Sequence, residues 1–426
     1  MSTLKQTTEF AEKVRQFVRA GFKPRFGQLE ATFPSHPLWS GMRRLGTELW
    51  LDTGSLDEAG PLWTREFTAL TTNNTLLNRE VQTGRYDDLI RTAAQLLDGY
   101  PALTPRGRML ELAFILNAFH GLRLVERFDA HVSVEEHTDL AADVDAAVAY
   151  AHRYFAICPE RFIVKIPLTP AGVLATRRLA AEGIPVNHTL GFGARQNYIV
   201  ARLAGPRYVN VFLGRLNSFV AENGLGDGTL VGERATVASQ AAVREARAAH
   251  DVPTRQIGAS FREAGQVRDL AGMDVMTMPP KVAKGFLDLG LAPERLTDRT
   301  GEDYRPPIAA GADPAAARLD TLWNVERDVV ACVDAIERED LNVFTPDDLV
   351  DFFARHACGD VFPRWTPEEV ATSAKEGKIP RLENWRDALG SRRIGLDSLM
   401  NLAGLNSFVA DQKAMDDHVA AVLKKT

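Results

Sequence analysis

Residues 161–167, Arg-Phe-Ile-Val-Lys-Ile-Pro, place one lysine in the middle of large apolar side chains. Near-continuous apolar runs of this length are typical of strands in a parallel sheet, because helices bury such a sheet on both faces. The flanking segments are rich in Ala, Leu and Arg and long enough for helices. This β–α alternation predicts a parallel sheet with Lys165 on one of its strands.

Similar runs occur along the chain between Glu48 and Pro279, each followed by a segment of helical composition. Eight β–α units favour a (β/α)₈ barrel, the TIM-barrel fold, over an open doubly wound sheet. The predicted strands are residues 48–53, 69–73, 130–135, 161–167, 185–192, 207–215, 254–261 and 273–279.

Polar residues stand repeatedly at the C-terminal ends of these runs. In a barrel the C-terminal ends of the strands form the active-site face, whereas a packed strand interior has no reason to end in charge. The residues are Asp52, Asn73, Glu135, Lys165, Thr189, Arg215, Ser260 and Arg262.

The barrel is predicted to span residues 46–300, between two helical segments. Residues 1–45 include an amphipathic helix over 4–20. Residues 301–426 begin with a Gly/Pro/Ala/Asp-rich linker or ordered loop and continue as helices. In that region Thr345-Pro-Asp-Asp and Thr366-Pro-Glu-Glu each offer Thr as N-cap and Pro as the first helical residue.

The composition excludes several classes of protein. The 426 residues carry a net charge of −6, which disfavours nucleic acid as the main partner. No apolar run approaches the length of a membrane span, and the N-terminus lacks the apolar region of a secretory signal. The three cysteines, without a C-x-x-C pair, argue against a disulfide framework. A cytoplasmic protein is the expectation.

Lys165 is the first candidate for chemistry, because lysine is rarely buried without a partner. Burial or a neighbouring cation favours the neutral, nucleophilic form of a lysine amine. The alternative is a lysine that snorkels from a strand end or pairs with an acid.

Two acids at strand ends could serve a lysine Schiff base. Asp52 could take a proton from the hydroxyl whose bond breaks, and Glu135 could move protons through water. The alternatives are that Asp52 caps a helix and that Glu135 forms a salt bridge with Arg123 or Arg127.

Further polar residues could bind hydroxyl and phosphate groups. Asn73 and Thr189 could hold a hydroxyl or a water, although each could be a turn residue. Arg215, Ser260 and Arg262 would suit a phosphate dianion, because the guanidinium fork matches phosphate oxygens. Arg262 could instead be a surface arginine. The histidines form no H-x-x-x-H pair, and no metal site is predicted.

Together these segments resemble the transaldolase family in order and spacing, from about Glu48 to Pro280. The matching segments are LWLDT (49–53), ALTTNNTLL (69–77), VSVE (132–135), FIVKIPLTPAG (162–172), VNHTLGFGARQ (186–196), NVFLGRL (210–216) and IGASFREAGQV (257–267).

The resemblance implies transfer of a dihydroxyacetone unit between sugar phosphates through a Schiff base, without cofactor or metal. Lys165 matches the Schiff-base lysine, and Asp52 the acid/base at the C4 hydroxyl. Glu135 and Thr189 match the pair that holds the catalytic water. The resemblance further implies substrate binding by Asn73, Asn187, Asn210 and Phe212, and phosphate binding by Arg215, Ser260 and Arg262.

Two positions are similar to the transferase branch rather than to the fructose 6-phosphate aldolases, which carry Gln in place of Glu135 and Tyr in place of Phe212. Three positions depart from the family pattern: Asn74 replaces Pro, Asn210 replaces Ser and Gly193 replaces Ser. These departures bear on the identity of the acceptor sugar.

Other functions stay open at this point. The same chemistry could act on a different sugar in a specialised pathway, or the barrel could be a non-catalytic sugar-phosphate-binding or scaffold protein. The C-terminal extension could cover the barrel mouth, form a homodimer or pack beneath the barrel.

Overall fold

The computed structural model describes residues 2–425, and a closed sheet of eight parallel strands in sequence order lies at its centre. Every predicted β-run overlaps one strand, so the predicted (β/α)₈ barrel is confirmed. The strands are β1 (Glu48–Asp52), β2 (Phe67–Thr71), β3 (His131–Glu135), β4 (Phe162–Pro167), β5 (Val186–Thr189), β6 (Tyr208–Phe212), β7 (Arg255–Ala259) and β8 (Val275–Met278).

Several predicted strands ran too far at their C-terminal ends, and those matching β5 and β6 ran furthest. β5 stops at Thr189, because Leu190 takes a left-handed backbone conformation with φ 68°. β6 stops at Phe212, and residues 213–215 begin a helix, so Arg215 lies in a first helical turn and not on a strand. An apolar run that continues from a buried strand into a buried helix start has no break in its periodicity.

Within residues 2–425 eighteen α-helices surround and extend the barrel. They are α1 (Ser2–Arg19), α2 (Pro37–Arg44), α3 (Leu56–Ala59), α4 (Asn74–Gln82), α5 (Asp87–Asp98), α6 (Pro105–Phe128), α7 (Val144–Ile157), α8 (Pro170–Ala181), α9 (Ala194–Ala204), α10 (Leu213–Glu222), α11 (Val231–His250), α12 (Ala264–Asp269), α13 (Pro280–Asp288), α14 (Arg327–Ile336), α15 (Pro346–Arg355), α16 (Pro367–Glu376), α17 (Arg386–Gly390) and α18 (Leu396–Lys424). No helix in the described chain is long and apolar enough to cross a membrane.

The N-terminal segment packs on the barrel. α1 lies against α6 and α7, at the position of the helix predicted over 4–20. α2 lies beside the start of β1, where the Trp39 ring packs 5.2 Å from the rings of both Phe67 and Phe286. Met1 and Thr426, the ends of the predicted segments 1–45 and 301–426, lie outside the described residues.

The C-terminal extension reaches across the barrel mouth. Residues 299–316 form an ordered loop, in which Ala309 N–H donates to the carbonyl of Leu225 at 2.9 Å. The threonines of the two predicted capping motifs are the N-caps of α15 and α16. In α18 the amide of Asn401 donates to the carbonyls of Leu168 and Leu190, which follow β4 and β5. α18 therefore lies over the C-terminal ends of the strands.

The strand register brings polar residues to one level. Glu135 on β3 is paired with Lys165 on β4, and Lys165 is paired with Asn187 on β5. Residues directly paired across parallel strands point to the same side of the sheet. These three side chains therefore point into the barrel together.

Candidate active site

Lys165 lies buried near the C-terminal end of β4, with 4% of the residue exposed. Its ammonium donates to the carbonyl of Thr72 at 3.1 Å, and its Nζ lies 3.5 Å from Oε2 of Glu135. The ring of Phe408 on α18 covers it, with its centroid 5.7 Å from Nζ. The lysine is held inside the barrel, and does not snorkel to the surface.

Asp52 ends β1 and accepts a hydrogen bond from the Thr71 hydroxyl at 2.7 Å. Burial raises the pKa of Asp52, against the Thr71 hydrogen bond and the positive charges of Lys165 and Arg262. The cap of the next helix, α3, is Ser55 and not Asp52. Asp52 is thus available as a base at the floor of the mouth.

Glu135 ends β3 and is buried beside Lys165. Burial raises its pKa, whereas the Lys165 charge and the backbone N–H of Asn74, 3.3 Å from Oε2, oppose that rise. Arg123 contacts Tyr86 instead, and neither Arg123 nor Arg127 forms an ion pair with Glu135. The proline that the family has at position 74 would lack this N–H donor.

The smaller polar residues form a chain of contacts around the lysine. The Asn210 amide donates to Asn187 at 3.2 Å, and the Asn187 amide donates to the Ser133 hydroxyl at 3.1 Å. Thr189 is fully buried, and its hydroxyl has no hydrogen-bond partner in the described chain. Asn73 caps α4 by accepting from the N–H of Leu76 at 2.8 Å, and thus has the turn role that was its alternative.

His188 points away from this group. It is buried on the outer face of β5, where its Nδ1 lies 3.0 Å from the Thr176 hydroxyl of α8. Burial lowers the pKa of His188 to about 3, so the ring is neutral.

The residues predicted to bind phosphate, Arg215, Ser260 and Arg262, lie together because the start of α10 closely approaches the loop after β7. A Cβ on Gly214 would lie 2.2 Å from the carbonyl oxygen of Ser260 and 2.7 Å from Cγ of Arg262. Only glycine allows the start of α10, with Arg215, to lie so near the loop after β7. Burial and the charge of Arg262 lower the pKa of Arg215 to about 10.

One cavity of about 840 Å³ at the barrel mouth collects most of the predicted residues. Glu135 and Thr189 do not line the cavity, but Glu135 contacts Lys165, which does. The predicted residues that line it are Asp52, Asn73, Lys165, Asn187, Asn210, Phe212, Arg215, Ser260 and Arg262.

The cavity also has walls that the sequence patterns did not indicate. Phe408 of α18 and Lys378 of the loop after α16 come from the C-terminal extension, and Arg79, Lys281 and Lys284 come from α4 and α13. No motif singles out Phe408 or Lys378. Within the described residues, no group of three or more His, Cys, Asp or Glu side chains could hold a metal ion.

Packing explains the glycine at position 193, where the family has serine. A Cβ there would lie 2.7 Å from the carbonyl of Thr321 and 3.0 Å from Asp397, both in the extension. The missing side chain leaves room for the start of α18 on the loop after β5.

The chain is similar in sequence to known transaldolases. A probable transaldolase of Thermus thermophilus is 34% identical over 254 residues, which are 57% of this chain and 94% of the relative. A transaldolase of Xanthomonas campestris is 30% identical over 288 residues, 61% of this chain and 89% of the relative. A transaldolase of Trichormus variabilis is 29% identical over 237 residues, 54% of this chain and 70% of the relative.

The family model described as transaldolase/fructose-6-phosphate aldolase matches residues 49–348, beyond the end of the barrel and into the extension. This chain belongs to the transaldolase/fructose-6-phosphate aldolase family.

Proposed function

We propose that this protein is a transaldolase, which moves a dihydroxyacetone unit from a ketose phosphate to an aldose phosphate through a Schiff base on Lys165. The observation that carries the proposal is a buried lysine 3.5 Å from Glu135, in a cavity that Asp52, Arg215 and Arg262 also line. Fructose 6-phosphate as donor and erythrose 4-phosphate as acceptor fit the expected ketose and aldose classes.

The first step forms the covalent bond. Glu135 takes a proton from the Lys165 ammonium, and the resulting neutral amine attacks the C2 carbonyl carbon of the ketose. The carbonyl oxygen takes up this proton and a second one from the attacking nitrogen, and leaves as water. Glu135, beside the amine, carries these protons through a water molecule, for which the free hydroxyl of Thr189 offers a second contact. The product is a protonated imine.

The second step breaks the C3–C4 bond. The Asp52 carboxylate takes the proton of the C4 hydroxyl, and the electron pair of the C3–C4 bond moves toward the imine carbon. An aldose phosphate leaves, and the three remaining carbons stay on Lys165 as an enamine. The raised pKa of Asp52 makes this carboxylate a stronger base than an exposed one.

The return steps reverse this order. C3 of the enamine attacks the aldehyde carbon of a second aldose phosphate, and Asp52 gives its proton to the new hydroxyl. Water then hydrolyses the imine and frees Lys165. Because the phosphate leaves with one aldose and arrives with the next, one phosphate site at Arg215, Ser260 and Arg262 serves both sugars.

Borohydride trapping tests the proposal. Reduction in the presence of fructose 6-phosphate should leave a reduced three-carbon unit on Lys165, found by peptide mass spectrometry, and erythrose 4-phosphate should lower its yield by accepting that unit. Lys165→Ala should abolish trapping. Lys284→Ala, which removes another lysine of the same cavity, should keep it. An adduct on a different lysine in the wild-type protein would overturn the assignment.

A further inference from the structure

Lys378 is a positively charged residue of the C-terminal extension, and not of the barrel. It follows α16 in the C-terminal extension and lines the cavity together with Arg215 and Arg262. Among the described residues none of these three side chains forms an ion pair. These three positive charges, among the several that line the cavity, thus have no carboxylate of the described chain bound to them.

The loop that carries Lys378 is fixed to the helix that carries Arg215. Asn223, the C-cap of α10, donates to the carbonyl of Pro380 at 3.0 Å and accepts from the N–H of Leu382 at 2.7 Å. On the other side of Lys378, Glu376 accepts from Trp385 Nε1 at 2.9 Å. The hydrogen bonds to Asn223 therefore hold the loop of Lys378 against α10, and the Glu376–Trp385 bond closes the loop on itself.

The turn before the lysine needs glycine. Gly377 has φ 79° and ψ −136°, a conformation that other residues adopt only at a cost. It directs the chain from α16 into the loop that is hydrogen-bonded to Asn223. The sequence Gly377-Lys378 thus places one cation at the end of a sharp turn over the mouth.

The positive charges of Arg215, Arg262 and Lys378 have few negatively charged or hydrogen-bonding partners within residues 2–425. Nη1 of Arg215 is buried and has no hydrogen-bond partner in the described chain. Burial, together with the charges of Arg215 and Arg262, lowers the pKa of Lys378, while Asp411 opposes this change. Asp411 itself accepts a hydrogen bond from the Thr75 hydroxyl. An anion with two charges would relieve this repulsion.

We propose that Lys378 is a third ligand of the substrate phosphate, so that the C-terminal extension selects dianionic sugar phosphates and completes a site that the barrel begins with Arg215, Ser260 and Arg262. The inference rests on the proposed function, because it assigns the phosphate of that same substrate. The extension is held over the mouth by the hydrogen bonds of Asn223 and Asn401.

The test uses Lys378→Gln, with Lys378→Arg as the rescue and Lys375→Gln as the matched control. Lys375 lies on α16 three residues earlier and is exposed like Lys378, but it does not line the cavity. Lys378→Gln should raise the KM for fructose 6-phosphate and the Kd for inorganic phosphate about tenfold, the effect of one lost charge-assisted contact. The rate with unphosphorylated fructose should change less than twofold. Lys378→Arg should restore most of the phosphate binding, and Lys375→Gln should resemble wild type.

The outcomes separate the two proposals. If wild type traps no adduct on Lys165, the proposed function fails, and calorimetry with inorganic phosphate still tests Lys378. If wild type traps the adduct but Lys378→Gln binds phosphate as wild type does, the assignment of Lys378 fails. An equal loss with phosphorylated and free sugar would likewise overturn it, because it would show a structural role for the lysine.

Discussion

Phe212 is an apolar part of the cavity wall. On the proposed mechanism, a proton donor at this position would protonate the enamine before an aldehyde arrives. The Phe212 ring packs 5.6 Å from that of Phe192 and 6.4 Å from that of Phe408, and the guanidinium of Arg215 lies 5.3 Å from its centroid. Such a wall excludes water and offers no proton. On the proposed mechanism, the enamine on Lys165 then persists until an aldehyde arrives.

Phe212→Tyr should therefore raise the release of free dihydroxyacetone relative to transfer, with little change in Schiff-base formation. The added hydroxyl could deliver a proton to C3 of the enamine. The measurement is dihydroxyacetone formed from fructose 6-phosphate with and without erythrose 4-phosphate. Phe212→Leu, which removes the ring without adding a hydroxyl, is the control. Rapid acceptor-free release by wild type would place this protein with the aldolases.

The acid side of the pH profile should report Asp52. Burial raises the pKa of Asp52, and the base must be ionised to take a proton, so kcat/KM should fall as the pH falls through that raised value. The midpoint should lie above about 4, the ordinary value for a carboxyl group. Asp52→Asn should remove activity at every pH.

Thr71→Val distinguishes Asp52 from Glu135 as the group that titrates. The Thr71 hydroxyl donates to Asp52 and lowers its pKa, so removing it should shift the acid limb to higher pH. Thr71 has no hydrogen bond to Glu135. An acid limb that stays in place in Thr71→Val would assign the titration to another group.

Among the elements, α9 and α18 are joined by a buried ion pair. Arg195 at the start of α9 donates to both carboxylate oxygens of Asp397 at 2.7 and 2.8 Å, and to Asp360 at 2.9 Å. Gly193 makes room for this contact. The loop after β5 and the helix over the mouth are thereby fixed to each other.

Arg195→Met should lower the free energy of unfolding by about 3–5 kcal/mol, because it leaves the buried carboxylate of Asp397 without its partner. The added variant Asp397→Asn should recover part of the loss. Arg364→Met is the matched control, because Arg364 is exposed and its pairs with Asp347 and Asp351 contribute at most about 1 kcal/mol. Urea unfolding measures the difference, and equal losses for Arg195→Met and Arg364→Met would contradict the anchoring role.

At the scale of the whole molecule, the extension is part of the mouth. α18 contacts the loops after β4 and β5 through Asn401 and places Phe408 over Lys165. A pair formed by the Thr75 hydroxyl and Asp411 ties the same helix to α4. Of the three roles open for the extension, covering the mouth is the one this arrangement supports. The homodimer and the cytoplasmic location stay predictions.

The sequence by itself determined the barrel and the residues at its strand ends. Strand positions follow from local patterns, because a strand buried on both faces is largely apolar and the charged residues of an active site stand near the C-terminal ends of the strands. The run around Lys165 is predictable for this reason, as are Glu135 at the end of the neighbouring strand β3 and Asp52 at the end of β1. Chain order in a (β/α)₈ barrel is also spatial order, so adjacent runs bring their ends together.

Only the tertiary structure decided what comes from the extension and how the loops meet. Lys378 and Phe408 reach the cavity through packing of α16 and α18 on the barrel, and such packing depends on complementary surfaces distant in sequence, not on local periodicity. Gly214 and Gly193 show the same limit. In the sequence each resembles an ordinary loop glycine. Its role appears only in the structure, where another segment lies so close that a Cβ atom would collide with it.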